Sequence, residues 1–434
     1  MNPVSRLFHY VRHEGMGRAL RHRDFAWYTA TSWISTIGMW MQRIGTGWLT
    51  WELTHSGLWL GLIVAAHALP AIVLIPFTSA YAERMNRLKL MRVTQALTFA
   101  SNSLLAALTV MGLTTIEVLF VISLFNGLVV TFNMPARMTI VPGLVPRADL
   151  GSAIAIGSLV FTSSTFVGPA IGGLLIDHGG IALCFVANAV SYLPFYVNLY
   201  FIKLRDAENA PSADAKLLDD VRDGVRYAAR HPGIGPVLML ALLVSLLLQP
   251  ISDLVPGFVD HVFTAGPTAL GMMMSVFGIG GMAGALWMAN RSRLHGTVRI
   301  FFVAGALSAL ATLAFAATPV LWVGMAAMAV LGFVGSARGN AAQTLIQSSV
   351  DPTHRARVIS LYSLTHRAGP AIGAMSMGAV ADFAGLQIPV GASALLALVP
   401  FIWLWRRRHE IATATELLVH DDVAPLPEHK RAAE

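Results

Sequence analysis

About twelve apolar stretches, each about 20 residues or longer and nearly free of charge, recur along the 434-residue chain. They lie at roughly 25–51, 58–81, 90–111, 116–140, 152–176, 180–202, 235–260, 267–290, 298–316, 319–346, 357–381 and 387–405. As a helix, about 20 residues at about 1.5 Å each cross the roughly 30 Å of a bilayer's hydrocarbon. No water reaches the backbone there, so a spanning chain must be a helix or a closed barrel. The stretches are too long for barrel strands and lack two-residue alternation. They predict an all-α membrane protein. Composition agrees: 55% of residues are hydrophobic and 12% charged, against about 25% charged in soluble domains. Too little charge remains to cover a water-facing surface, which excludes an ordinary soluble enzyme and a disordered chain. Cys184, the only cysteine, excludes a disulfide scaffold.

The connections between stretches sort by charge. One set, with the two terminal segments, holds 27 of the 30 Lys and Arg residues. The alternate set, around 52–58, 112–117, 177–180, 260–267, 317–319 and 382–387, holds none. This is the positive-inside pattern, followed at every connection. It predicts a multi-pass membrane protein with an even number of spans and both termini cytoplasmic. The net charge of +7 is then a topology signal, and nucleic acid is not an expected partner. The Arg- and His-rich first 24 residues have no long apolar core, so no cleavable signal peptide is expected.

The longest polar stretch divides the chain. The expected units are an N-terminal segment (1–24), a six-helix half (25–202), a linker (203–234), a second six-helix half (235–405) and a tail (406–434). Within the linker, Leu217, Leu218, Val221, Val225 and Tyr227 form an approximate helical stripe. It predicts an amphipathic helix on the cytoplasmic surface. The halves match at an offset of about 205: Gly127 with Gly332, Gly168 with Gly373, Asp177 with Asp382, Gly180 with Gly385. Two parallel six-helix repeats around a midplane cavity are a secondary-transporter architecture.

Local strings sharpen this. Ala19-Leu20-Arg21-His22-Arg23-Asp24-Phe25 leads into the first span, Gly38-Met39-Trp40-Met41-Gln42-Arg43 lies inside it, and Asn133-Met134-Pro135-Ala136-Arg137 ends the fourth. The chain resembles the major facilitator superfamily, and within it the enterobactin-exporter-like branch of siderophore and drug efflux proteins. That resemblance implies twelve transmembrane helices in two pseudo-symmetric halves, alternating access and proton-coupled efflux. It also implies a cytoplasmic gate motif between spans two and three. Here that motif reads Ser79-Ala80-Tyr81-Ala82-Glu83-Arg84-Met85-Asn86-Arg87-Leu88. Glu83, Arg84 and Arg87 keep an acid followed by spaced arginines, while Ser79, Glu83 and Leu88 depart from the family's Gly, Asp and Arg. A latch and a simple loop anchor are both open uses of these charges.

Three arginines remain outside that tally of 27, inside spans: Arg43, Arg338 and Arg367. An ionised group in hydrocarbon costs at least about 2.5–3.5 kcal/mol, so each should face a cavity or a partner. Asp253 is the one carboxylate clearly inside a span, at about the depth of Arg43. The two are expected to face each other across the halves as an outer gate. The alternative is that each is satisfied separately in the cavity wall. Unpaired Arg338 and Arg367 favour an anionic or phenolate-bearing substrate, since guanidinium offers a planar fork of donors. Snorkelling or a backbone partner is the other reading. Trp40, Gln42, Asn126, Gln249 and Gln343 complete the expected cavity, with helix–helix hydrogen bonding as the plainer use of the amides. The glycines Gly278, Gly280, Gly281 and Gly284 follow no strand and form no dinucleotide fingerprint.

No metal-ligand spacing, phosphate loop or catalytic triad is present, so no enzyme activity, metal or cofactor is expected. The expected function is export of a small amphiphilic or anionic compound, siderophore or drug-like, by a monomer in the lipid bilayer driven by protons. An importer or lipid flippase of the same fold, and a sensor or assembly protein without transport, stay open.

Overall fold

The computed structural model describes residues 16–84, 86–204, 217–291 and 296–416, with the side chains of 75–84, 135, 217–221 and 352 outside that description. Its described secondary structure is helical, with no strand. A short 3-10 turn, Met16–Arg21, precedes α1 (Arg23–Thr54), α2 (Gly57–Arg84), α3 (Arg87–Val110) and α4 (Ile116–Leu144). The stretch Leu150–Phe201 turns at Gly180 and supplies α5 and α6. The linker contains α7 (Leu217–Arg230). The second half has α8 (Ile234–Leu247), α9 (Ile251–Gly257), α10 (Pro267–Ala289), α11 (Thr297–Ala317), α12 (Leu321–Ser349), α13 (Pro352–Ala384) and α14 (Gln387–Trp405). A last helix, α15 (Arg408–Glu416), follows. Length and apolarity alone mark nine crossing stretches among the described residues, of which Arg147–Phe201 holds two spans. The polar residues of α1 and α13, Arg43 and Arg367 among them, keep those two spans below that mark.

Two features break the expected regular spans. The seventh, expected continuous over 235–260, is interrupted at Gln249–Pro250 and resumes as α9, then runs into a π-helical turn at Phe258–Val262. Pro250 and Pro256 lack the N–H that a continuous helix needs. The fifth and sixth spans meet at Gly180, whose φ of 76° is left-handed; Gly385, its repeat counterpart, has φ 78°. A side chain strains that backbone, so glycine lets both turns be tight.

The basic connections lie on one side of the bundle, called here the basic face, and the connections without Lys or Arg on the far face. The largest apolar core joins the halves toward the far face: Met41, Ile44, Trp51, Leu60 and Ile176 pack with Leu254, Phe258, Phe263, Met273, Phe315 and Met377. Toward the basic face the core divides. Phe25, Met91, Ile140 and Phe195 form one cluster, and Ala228, Ile234, Ile346 and Val358 another, each within its own half. Large apolar side chains point outward, with Phe383 94% and Trp322 72% exposed. Such a surface suits lipid and would aggregate in water.

The linker and tail dock on the second half. The Tyr227 ring stacks on His354 at 4.4 Å, and Asp223 meets Arg357 at 3.5 Å. Glu416 accepts the backbone N–H groups of Gly296 and Val298, both at 2.8 Å, which caps the start of α11.

Candidate functional site

Between the halves lies a cavity of about 420 Å³. From the first half, α1 contributes Trp40 and Arg43, and α5 contributes Phe161, Thr162 and Thr165. The broken seventh span contributes Gln249, Ser252 and Asp253. Phe277, Gly278 and Gly281 of α10 and Arg338 of α12 close the other side. Gln249, Ser252 and Asp253, at i, i+3 and i+4, flank the break at Pro250 and share the side that lines the cavity.

Arg43 Nη2 donates to Asp253 Oδ1 at 2.6 Å across the halves. The pair is asymmetric: the Asp253 side chain is 5% exposed and that of Arg43 50%. Trp40 lies under the guanidinium, 5.4 Å from ring centroid to Arg43 Cζ, and meets Phe161 edge-on at 6.2 Å. A cation over an indole face adds roughly 0.5–1 kcal/mol where exposed. Arg338 differs from Arg43. It is 3% exposed, and its Nε and Nη1 have no hydrogen-bond partner among the described residues.

More hydrogen bonds join the halves toward the far face. Trp51 Nε1 donates to Asp260 at 2.8 Å. Asp382, at the end of α13, accepts Ser56 Oγ at 2.7 Å and the Gly57 backbone N–H at 2.6 Å, at the start of α2. Asp177, at the end of α5, accepts Thr268 Oγ1 at 2.9 Å, at the start of α10. Asp382 and Asp177 each sit at a helix N-terminus of the opposite half, where the helix dipole favours negative charge. Sequence reasoning missed them as ties. The matched positions Asp177 and Asp382 were the available signal. Phe161 and Phe277 were missed as well, because an aromatic residue in an apolar span looks like packing.

The remaining expected residues are distributed differently. Gln42 accepts from Asn188, tying α1 to α6. Asn126 accepts from Ser101 at 2.6 Å and donates to Asn102 at 3.2 Å, tying α4 to α3. These amides have partners close by and do not line the cavity. Gln343 and Arg367 are exposed and outside the cavity wall. Asn133 donates to Thr94 at 2.7 Å, and Arg137 to Ser32 at 3.0 Å, inside the first half. Arg87 starts α3, which Asn86 caps. The side chains of Glu83, Arg84 and Pro135 lie outside the described residues.

Residues 18–427 match the transmembrane secretion effector family of major facilitator proteins. The chain belongs to this family. It is a multi-pass membrane transporter for small molecules, not an enzyme. The transporter is 21% identical over 361 residues to the staphyloferrin A transporter of Staphylococcus aureus (strain NCTC 8325 / PS 47), covering 83% of this chain and 90% of that one. It is 24% identical over 331 residues to the enterobactin exporter EntS of Escherichia coli O1:K1 / APEC, covering 75% and 77%. Its fold matches that of a bacterial homologue of the human lysosomal transporter Spinster with a TM-score of 0.67, at 14% identity, over 94% of this chain and 99% of that one. The expected fold is therefore the observed one.

Proposed function

We propose that the transporter exports a small amphiphilic or anionic compound, siderophore or drug-like, through the inner membrane by alternating access coupled to protons. The Arg43–Asp253 pair at 2.6 Å carries this reading. It is at once part of the cavity wall and a tie between the halves, so a change of charge at one bears on the other. By the positive-inside rule the basic face is cytoplasmic, which makes the far-face ties an outer gate. Protonation of Asp253 removes the charge that holds Arg43, and a substrate beside the pair competes for it. Glu83, Arg84 and Arg87 are the proposed latch of the opposite, outward-facing state. A compact bundle of this kind needs no second copy, and a monomer is the proposed unit. The export direction rests on the likeness to a relative named an enterobactin exporter.

The test is accumulation of siderophores and amphiphilic dyes in cells with and without the protein, each with and without a protonophore. Lower accumulation that the protonophore abolishes is expected. Higher accumulation would mean import, and no protonophore-sensitive difference for any compound would remove the reading.

A further inference from the structure

The cavity wall holds three charged side chains among the described residues: Arg43, Asp253 and Arg338. Arg43 and Asp253 neutralise each other at 2.6 Å, which leaves Arg338 as one uncompensated positive charge. Its burial, with 3% exposure, rules out snorkelling to a headgroup. Its Nε and Nη1 are buried and lack an acceptor among the described residues. Across the cavity the Trp40 Nε1–H is also buried without an acceptor. Both orphans are donors. A buried donor without an acceptor costs about 1–3 kcal/mol, and more when charged, so a wall that keeps them there is selective for what fills the space.

Resting on the transport reading above, we propose that Arg338 and Trp40 form an anion subsite for a singly charged organic acid with an aromatic or alkyl body. The carboxylate or phenolate oxygen accepts from the Arg338 guanidinium. A guanidinium presents its donors as planar forks matched to a carboxylate. Phe161, Phe277 and Met274 supply the apolar wall for the body. The cavity's roughly 420 Å³ suits a small drug-sized ligand. A second anionic group has no free cation in this wall, so the fit is to one charge. A neutral isostere leaves the Arg338 charge uncompensated and is rejected by the same energetics that reject an unpaired buried ion.

The experiment uses the full chain in lipid nanodiscs with two probes of one shape, 2-naphthoate and its neutral counterpart 2-naphthamide. Binding is read by calorimetry. Naphthoate is expected to bind at least about tenfold more tightly than naphthamide, a difference of about 1.4 kcal/mol. Arg338→Gln should erase that preference and leave naphthamide affinity within about twofold, while Arg338→Lys retains part of it. Trp40→Phe should weaken naphthoate with little effect on naphthamide. Thermal unfolding supplies an independent readout. An uncompensated buried charge predicts that Arg338→Gln melts higher than the wild type without ligand, and that naphthoate raises the wild-type melting temperature alone. Equal affinity of the two probes, no naphthoate binding, or an Arg338→Gln loss equal for both would overturn the proposal. Binding does not depend on direction or coupling. Charge-selective binding without protonophore-sensitive efflux would defeat the export reading and keep this one. Efflux of neutral dyes with no charge preference would do the reverse.

Discussion

Asp382 accepts the backbone N–H of Gly57 at 2.6 Å, so the last turn of α13 caps the first turn of α2 in the other half. The repeat places Asp177 at the equivalent end of α5, against Thr268 at the start of α10. Two carboxylates thus tie two seams related by the pseudo-symmetry of the halves, each accepting a hydroxyl at a helix start and Asp382 a backbone N–H as well. Both sit on the far face, as does Trp51–Asp260, while Arg43–Asp253 lies deeper, in the cavity wall. On the proposed orientation these ties close the outer gate.

Replacing Asp382 with Asn keeps the shape and removes the charge at the helix N-terminus. Asp382 is exposed, so solvent screens the contact and the lower range applies, about 0.5–1 kcal/mol. The expected effect is a roughly two- to fivefold shift toward far-face opening, and Asp177→Asn should act in the same direction. Spin-label distances across the far face check this, on a background where buried Cys184 is the only native thiol. Unchanged distances in the double variant would remove the latch.

The spans were legible because hydrocarbon leaves the backbone one choice. Arg43 with Asp253 was legible for a related reason: each was an isolated charge at a similar depth in repeat-related spans. The cavity was only partly legible. Gln42 and Asn126 were hidden because an amide can satisfy itself on a neighbouring helix as readily as it lines a cavity. Arg367 and Gln343 depended on helix rotation, which sequence depth does not give. Gln249 lines the wall one turn before Asp253, although the pattern predicts an unbroken span where the structure breaks at Pro250.

The Arg43–Asp253 pair should respond unequally to its two neutralisations. Arg43→Gln strands a carboxylate that is 5% exposed, whereas Asp253→Asn strands a guanidinium that is half in solvent. The buried partner bears the larger desolvation penalty. Far-face closure and transport should therefore fall more in Arg43→Gln, by about tenfold or more. The charge-swapped double variant should regain part of the loss. Initial rates of efflux in proteoliposomes check the order, and equal losses without recovery in the swap would mean the two side chains act independently.

The linker junction carries a pH dependence. His231 Nδ1 accepts the backbone N–H groups of Gly233 and Ile234, both at 3.2 Å, at the start of α8. That role needs a neutral ring. Burial first of all holds the His231 pKa below its usual value, against a smaller opposing pull from Asp351. The unfolded chain then takes up the proton first as pH falls. The contribution is full above about pH 6.5, the ordinary histidine value, and is lost as pH drops below it toward the lowered folded value. Amide exchange at Gly233, Ile234, Gly235 and Val237 should accelerate between about pH 7 and about pH 5 in the wild type. His231→Asn, which caps without titrating, should flatten the profile. A wild-type profile no steeper than that of the variant, after correction for intrinsic exchange, would count against the cap.

Close approach of backbones sets the last prediction. At the α2–α13 seam, a Cβ on Gly378 would stand 2.0 Å from the Gly57 carbonyl oxygen, and at the α5–α10 seam a Cβ on Gly271 would stand 2.9 Å from Gly173 Cα. Neither obstacle is a flexible side-chain end, so the helices must part. Gly157, on α5, has nothing within 4 Å of the same position. In a helix, Gly to Ala by itself favours folding by about 1 kcal/mol. Gly157→Ala should therefore raise the melting temperature slightly and leave transport unchanged. Gly378→Ala carries the same propensity gain but must push the Gly57 carbonyl back from 2.0 Å to beyond 3.0 Å. Its far face should open and its transport fall severalfold, with the protein still folded. Helix content and melting temperature, read beside far-face distances, separate a displaced seam from an unfolded chain. A Gly378→Ala variant with wild-type distances would show that the far-face contact of α2 with α13 is not held by the absence of a side chain there.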